Sequence, residues 1–184
     1  MDEFIEKISN SADLVFVGID PGAEGAIGFL CGNHAHYEDI PTFKTERAGK
    51  KADGSSKTKT MFDYQAIAEL FVELRPFKNQ VRVCVEEAQV QIKGKGANAY
   101  TAFRVGVGFG MWPLFLTANG FSTEVVAPRP WKMAMGLGGK DKEYSRMKAA
   151  SMFPNVKLTR KADHNRAEAL LLAEYLRRKT YGAK

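Results

Sequence analysis

Short runs of apolar residues, many of them β-branched, dominate the start of the chain. Residues 14–20, LVFVGID, end in Asp-Pro-Gly and therefore predict a strand followed by a tight turn. The runs AIGFLCG and HAHYEDI predict two further strands, so the chain opens with an antiparallel meander. Farther along, VRVCVEEAQV and FSTEVVAP predict a fourth and a fifth strand.

Helical spacing of apolar residues is clearest over residues 63–75, where Ile67, Phe71 and Leu74 recur every three or four positions and Asp63 is a candidate N-cap. A longer helix over about residues 97–118 is apolar nearly all round. It must therefore be buried on more than one side, either inside the domain or against a second subunit. RPWKMAMGL resembles a helix start, and two more helices are predicted by KDKEYSRMKAASMF and DHNRAEALLLAEYLRRK.

Three stretches lack this patterning. Residues 1–12 are expected to form a short N-terminal arm, and KTERAGKKADGSSKTKT over residues 44–60 predicts an exposed, mobile, basic loop. QIKGKGAN predicts a second flexible basic loop. The remaining elements follow the order βββ-α-β-α-β-α-α, which is typical of a single α/β domain over residues 1–184. Its five-stranded mixed sheet would start as a meander and continue through helical crossovers.

Composition fits one folded domain that attracts polyanions. The 184 residues are 45% hydrophobic, which is enough for a sizeable core. Lysine and arginine outnumber the acids by 27 to 21, giving a net charge of +6 and a pI near 9.3. Nucleic acid is thus favoured as a partner, although charge alone is weak support for it.

The cysteines and the apolar runs indicate the cellular setting. Cys31 and Cys84 lie in apolar strand-like runs, so we expect reduced, buried thiols. No apolar stretch is long enough to span a bilayer, and the first residues do not resemble a signal peptide. We expect a protein of the cytoplasm of a bacterial or phage-infected cell, with an organelle nucleoid as the alternative if a transit peptide was removed.

Acidic residues follow two strands and begin the last helix. Asp20 ends the first strand, Glu86 and Glu87 end the fourth, and Asp163 and Glu168 lie near the start of the final helix. If the first and fourth strands are neighbours, these carboxylates converge. Like charges so placed repel unless a cation lies between them, and oxygen ligands favour Mg²⁺ or Mn²⁺. Each acid taken alone is more typical of a turn, a strand end or a helix cap.

Alternation along the fourth strand favours one of its two glutamates. Val83 and Val85 share a face with Glu87, whereas Glu86 lies on the opposite face, away from the most apolar side. We therefore prefer Glu86 as the site residue.

The last helix offers two candidates beside Glu168. Asp163 precedes Glu168 by five residues, roughly 140° on a regular helix, and shares its side only from an N-cap position. His164 lies four residues before Glu168 and shares its face. We assign Asp163 and keep His164 in reserve.

Five motifs, spread over about residues 14–179, narrow the function. They are VGIDPGAEGA, VCVEEAQV, AYTAFRVGVGFG, VVAPRPWKMAMGL and KADHNRAEALLLAEYLRRK. Together they resemble the RuvC-type Holliday junction resolvases of the RNase H-like superfamily. The PRPWK and DHNRAEALLLAEYL stretches resemble the chloroplast and phage-like members more than the commonest bacterial ones.

The resemblance implies an RNase H-like fold and a crossover junction endodeoxyribonuclease that cuts two opposed strands of a four-way DNA junction. It implies a homodimer, which we place on the helix over about residues 97–118, two Mg²⁺ ions that Mn²⁺ can replace, and no nucleotide cofactor. In the bacterial pattern the earlier acid of the last helix aligns with Asn165, whereas the chloroplast-type pattern favours Asp163. The implied catalytic and metal-binding residues are Asp20, Glu86, Asp163 and Glu168.

Basic residues are expected to bind the DNA backbone, because several neutralised phosphates together give strong, salt-dependent affinity. QIKGKGAN, which carries Lys93 and Lys95, is the first candidate for entering the junction centre. Trp131 in PRPWK is expected to pack in the core, with DNA contact as the alternative. The other predicted substrate-binding residues are Lys50, Lys51, Arg129, Lys132, Lys140 and Lys142, with Lys57, Lys59, Arg146 and Lys148 as further basic candidates.

One other activity fits the same residues. An RNase H-like nuclease that acts on RNA or an RNA–DNA hybrid, as in pre-rRNA processing, would use the same metal chemistry without needing a dimer or paired cuts. Sugar kinases of the actin-like branch need two such domains, so 184 residues exclude them. A binding module without activity would have kept the basic loops and lost the acids.

Overall fold

The computed structural model describes residues 1–50, 54–89 and 99–182. Within these ranges the chain forms six α-helices and seven strands, and the bounds agree closely with the sequence pattern for every predicted strand and helix. In chain order the elements are α1 (Asp2–Ser9), β1 (Val15–Ile19), β2 (Ala26–Cys31), β3 (His34–Asp39), β4 (Thr42–Lys50), β5 (Ser56–Phe62), α2 (Tyr64–Val72), β6 (Val81–Glu86), α3 (Ala99–Ala118), β7 (Ser122–Val126), α4 (Pro128–Ala134), α5 (Lys142–Met152) and α6 (His164–Tyr181).

Five of the strands form the mixed sheet that the sequence predicts, in the order β3-β2-β1-β6-β7. β1 pairs antiparallel with β2 and parallel with β6, and β6 continues the parallel part with β7. The first and fourth predicted strands, β1 and β6, are therefore neighbours. Their carboxyl ends meet at one edge of the sheet, where Asp20 follows β1 and Glu86 closes β6.

Helices cover both faces of this sheet, and residue parity along β1 decides which core each side chain enters. Val15, Val17 and Ile19 pack into one core with residues of α1, α2 and α3. Phe16 packs into the other core with residues of α4, α5 and α6. A strand buried on both faces lacks polar alternation, which explains the continuous apolar run before Asp20.

Helix α6 lies directly on the sheet because two glycines face it. A methyl group on Gly18 would come within 2.3 Å of the Ala169 carbonyl oxygen, and one on Gly28 within 2.5 Å of the Leu170 nitrogen. Gly18 and Gly28 are cross-strand partners in β1 and β2. No larger residue fits at either position, and this close approach brings the first turns of α6 to the strand ends.

Two predictions about unpatterned segments are wrong. Residues 1–12 contain a helix, α1, that buries Phe4 and Ile8, one turn apart, so the N-terminal segment is part of the core and not a loose arm. Residues 44–60 belong largely to a β-hairpin made of β4 and β5. A two-stranded ribbon has no core of its own, so its strands need few apolar residues and its alternating threonines suffice.

Other predictions are confirmed within the described residues. Asp63 caps α2, its Oδ1 accepting the Ala66 N–H at 3.0 Å. Cys31 and Cys84 are buried free thiols. No helix in the described part of the chain is long and apolar enough to cross a membrane. The basic loop QIKGKGAN lies outside the described residues.

Candidate active site

Asp20 stands directly after β1, at the start of the turn into β2. Its Oδ1 accepts the Gly22 N–H at 3.4 Å, and a methyl group on Gly25 would lie 2.1 Å from the Asp20 carbonyl oxygen. The Asp-Pro-Gly turn is therefore tight enough to require glycine where it closes. Asp20 can therefore be both a turn residue and a site residue, because the turn fixes its backbone and leaves its carboxylate at the sheet edge.

Glu86 ends β6 on the same side of the sheet. Alternation places it on the face of Cys84, whose core contains α6, and its Oε2 accepts the Trp131 indole N–H at 2.7 Å. Glu87 is exposed, and its backbone N–H continues the ladder to Val126 at 2.8 Å. Of the two glutamates, Glu86 is the one that faces Asp20.

Glu168 lies in the second turn of α6 and reaches the same edge. Its Oε2 lies 3.0 Å from the Lys132 ammonium, and its Oε1 accepts the Ser145 hydroxyl at 3.4 Å. Lys132 belongs to α4 and Ser145 to α5, so three helices meet at this carboxylate. The glycine contact between α6 and the sheet is what allows Glu168 to approach Asp20 and Glu86.

The three carboxylates act on one another electrostatically. The pKa of Glu86 is raised to about 7, mainly by burial and in part by the charges of Asp20 and Glu168, while Lys132 and the Trp131 hydrogen bond oppose the rise. Burial also raises the pKa of Asp20, assisted by Glu168 and opposed by the Gly22 hydrogen bond. We call Asp20, Glu86 and Glu168 the acid cluster, with Lys132 as a cation that acts on all three.

Asp163 does not join this cluster. Its side chain is buried, and its Oδ1 lies 2.9 Å from Arg160 Nη2 and 2.8 Å from Arg166 Nη1. Burial would raise its pKa, but the hydrogen bonds and charges of the two arginines hold the pKa below its usual range. Asp163 does precede α6 at the N-cap, as predicted, yet its carboxylate turns back to the Arg160 N–H at 2.8 Å.

His164, the reserve candidate, contacts a lysine whose charge acts on the acid cluster. Its Nε2 lies 2.9 Å from the Lys142 ammonium, and the charge of Lys142 also acts on the pKa of Asp20. Its Nδ1 lies 3.0 Å from the Lys161 carbonyl, which assigns the ring proton to Nδ1 and leaves Nε2 as the acceptor. Asn165 donates to the Glu24 carbonyl at 2.6 Å and ties α6 to the Asp20 turn.

The carboxylate oxygens of the acid cluster are ligands that suit a hard divalent cation. Among the residues that the structure describes, no three His, Cys, Asp or Glu side chains converge closely enough to hold a metal ion. Lys132 supplies positive charge among the carboxylates. Burial is the main reason that the pKa values of Asp20 and Glu86 are raised, and the neighbouring carboxylates add to the rise, so a further cation among them would be favoured electrostatically.

The predicted DNA-binding residues fall into three groups. Lys132 and Lys142 are in the site, as just described. Arg129, Lys140 and Lys50 are exposed, with the Lys140 ammonium 5.2 Å from the centre of the Tyr144 ring. Lys51, Lys93 and Lys95 lie outside the described residues. Of the further candidates, Lys57 is exposed and Lys59 half-buried on β5, Arg146 pairs with Glu143, and Lys148 donates to the Met135 carbonyl.

Sequence reasoning missed the role of PRPWK. Trp131 is fully buried, as expected, but its indole N–H bonds to Glu86, and the neighbouring Lys132 bonds to Glu168. A signal was available, because a buried indole N–H needs an acceptor. PRPWK also follows β7, whose end lies beside the end of β6.

Comparison with known proteins agrees with the fold described above. No family model and no curated protein matches the sequence. A solved structure of RuvC from Thermus thermophilus matches with a TM-score of 0.53 and 20% identity, over 92% of this chain and 98% of that one. T. thermophilus RuvC in complex with a Holliday junction substrate matches with a TM-score of 0.56 and 17% identity, over 92% and 95%. The chain has the RuvC-type fold.

The RuvC-type fold confirms the predicted fold class, a five-stranded mixed sheet flanked by helices. The match covers nearly the whole of both chains. At an identity of 17–20%, these two matches show the fold alone. The chemistry has to be argued from the acid cluster of this chain.

Proposed function

We propose that the protein is a metal-dependent endonuclease that resolves four-way DNA junctions by hydrolysing two opposed strands. The observation that carries the proposal is the meeting of Asp20, Glu86 and Glu168 at one sheet edge of a RuvC-type fold. One of the matched RuvC structures is in complex with a Holliday junction substrate, which supports branched DNA as the substrate class.

Asp20, Glu86 and Glu168 are the residues that would hold Mg²⁺ or Mn²⁺, with His164 Nε2 as the fourth ligand in place of Asp163. The chemistry that a pair of such ions supplies is activation of water and stabilisation of the leaving 3′ oxygen. The carboxylate oxygens suit both metals. Asp163 instead fixes the start of α6 through Arg160 and Arg166.

The lysines of the site supply positive charge beside the carboxylates. Lys132 and Lys142 offset the carboxylates and lie on α4 and α5, next to the exposed Arg129 and Lys140. A phosphate that enters the site competes with the acids for these ammonium groups, so DNA and metal binding reinforce each other. We expect the exposed Lys50 and Lys57 of the β4–β5 hairpin to contact a duplex arm. Lys51, Lys93 and Lys95 lie outside the described residues and stay predicted DNA contacts.

Cutting two opposed strands requires two active sites, and α3 offers a surface for a second copy. Its exposed residues recur at intervals of three or four along one face and carry no charge. Phe103 is 68% exposed and Leu114 is 74% exposed, and a methyl group on Gly106 or Gly110 would meet nothing. Two such faces can approach closely through their glycines and bury the large side chains.

The assay that tests the function compares three substrates with the same sequence in Mg²⁺: an immobile four-way junction, a linear duplex and an RNA–DNA hybrid. Paired symmetric cuts confined to the junction support a resolvase. Cleavage of the hybrid in preference to the junction supports the RNA nuclease alternative instead. EDTA is the control for metal dependence.

A further inference from the structure

Trp131 touches both sides of the acid cluster. It is fully buried in α4, and its indole Nε1 donates to Glu86 Oε2 at 2.7 Å. The Lys132 ammonium lies 5.3 Å from the centre of the same ring, and 3.0 Å from Glu168 Oε2. A continuous chain of contacts therefore links the end of β6 to α6 through one indole.

The two contacts do different things. A hydrogen bond from a neutral N–H orients a carboxylate without cancelling its charge, whereas an arginine or lysine in that place would neutralise it. The bond engages Oε2 of Glu86 and so fixes the direction of Oε1. The ring face attracts the Lys132 ammonium and restricts where that long side chain can lie.

We propose that Trp131 is a positioning residue for the cation site: its indole N–H aligns Glu86 for a divalent ion, and its ring holds Lys132 beside Glu168. The inference rests on the proposed function for the site, and it goes beyond that function by assigning a role to a residue that touches neither DNA nor metal. Groups that hold metal ligands in place affect metal affinity even though they do not bind the ion.

The chain contains a matched control in Trp112. It is also fully buried, packed against Phe71 at 6.0 Å between ring centroids, but in the opposite core. Its indole Nε1 has no hydrogen-bond partner among the residues that the structure describes. Replacing Trp112 by phenylalanine thus shrinks a core side chain without removing a hydrogen bond to an acid.

The test measures binding of Mn²⁺ alone to the full chain by calorimetry, for the wild type, Trp131→Phe and Trp112→Phe. We expect Trp131→Phe to weaken Mn²⁺ affinity by about 10-fold or more, and Trp112→Phe to leave it near the wild-type value. Circular dichroism confirms that each variant is folded before it is titrated. Equal losses in both variants, or no loss in Trp131→Phe, would overturn the proposal.

A second readout needs no change at Trp131. The two tryptophans give two indole N–H resonances in a ¹H–¹⁵N spectrum, and the Trp112→Phe variant identifies them. We expect Mg²⁺ and the Glu86→Gln change each to shift the Trp131 resonance and leave that of Trp112 in place. A Trp131 resonance that shifts neither with Mg²⁺ nor in the Glu86→Gln variant contradicts the proposal. Since neither readout involves DNA, a failure of junction cleavage contradicts the proposed function alone.

Discussion

The Lys132 ammonium lies 3.0 Å from Glu168 Oε2 and acts electrostatically on Asp20 and Glu86 as well. Lys132 is 29% exposed and Glu168 is 12% exposed, so this ion pair is shielded from solvent on the carboxylate side. The lysine partly neutralises the acid cluster in the protein without metal.

Replacing Lys132 by methionine keeps most of the side-chain volume and removes the charge. At pH 8 without metal we expect the free energy of unfolding to fall by about 1–3 kcal/mol, because the carboxylates lose their internal cation. Mg²⁺ should then raise the melting temperature of the variant more than that of the wild type. Thermal unfolding with and without Mg²⁺ measures both effects.

The control for this experiment is Lys179→Met. The Lys179 ammonium lies 2.7 Å from Glu124 Oε2, but the lysine side chain is 53% exposed. Because a surface ion pair contributes little to stability, Lys179→Met should lower the free energy of unfolding far less than Lys132→Met. Equal stability changes for the two lysine variants, or a Mg²⁺ response that matches the wild type, would show that Lys132 does not compensate the cluster.

Glu86 makes metal-free stability depend on pH. Its pKa rises from 4.5 to about 7 on folding, so the folded state favours the protonated acid. The stability that the protonated Glu86 side chain contributes is fully present below pH 4.5, and it is lost as the pH rises to about 7. The difference in pKa corresponds to as much as about 3 kcal/mol.

Replacing Glu86 by glutamine keeps an acceptor for Trp131 and removes the titration. We therefore expect Glu86→Gln to be more stable than the wild type at pH 8 without metal and equally stable at pH 4. Urea unfolding at several pH values measures the difference. A variant that loses stability at pH 8 would contradict the raised pKa of this carboxyl.

Asp163→Asn separates structural support from catalysis. We expect it to lower the free energy of unfolding by about 3 kcal/mol, because Arg160 and Arg166 then face a buried neutral amide in place of a carboxylate. The pKa of Asp163 is held below 3.8, so its stabilisation is present above that pH and the effect of the mutation should shrink below it. Under conditions where the variant is folded, junction cleavage per molecule should be retained.

The opposite result would reinstate the assignment made from the sequence. A well-folded Asp163→Asn variant that loses both Mn²⁺ affinity and cleavage would identify Asp163 as a metal ligand. His164→Ala, compared under the same conditions, tests the ligand that its contact with Lys142 favours.

The exposed face of α3 predicts self-association. Leu114→Lys places a charge on the uncharged exposed face of α3. We expect this change to shift the protein from dimer to monomer in sedimentation velocity. Mn²⁺ binding should be unchanged, because each site is built within one chain. Val72→Lys is the matched control, since Val72 is 55% exposed on α2 and lies outside that face. A wild-type monomer at micromolar concentration would contradict the proposal.

Much of the fold could be predicted because its strands are buried or alternate regularly. Parity alone placed Glu86 opposite Val83 and Val85, and the structure puts it on the face that carries Asp20. The hairpin of β4 and β5 could not be found this way, since a ribbon without a core leaves no apolar pattern. The helix α1 was missed because Phe4 and Ile8 are too few to mark a helix within an otherwise polar segment.

The site was less predictable, because it depends on partners far apart in the sequence. Spacing made Asp163 and His164 both plausible, and only the positions of Arg160, Arg166 and Lys142 separate them. No sequence pattern around Gly18 and Gly28 indicates that they determine how closely α6 approaches the sheet. Contacts of this kind follow from packing and leave no periodicity in the sequence.

The most direct test of the acid cluster is single-turnover cleavage of a labelled four-way junction by the wild type and by Asp20→Asn, with binding to the same junction measured in parallel. We predict Mg²⁺-dependent paired cuts by the wild type, and a variant that binds the junction at least as tightly but does not cut it. Cleavage by Asp20→Asn at a rate near that of the wild type would contradict the account.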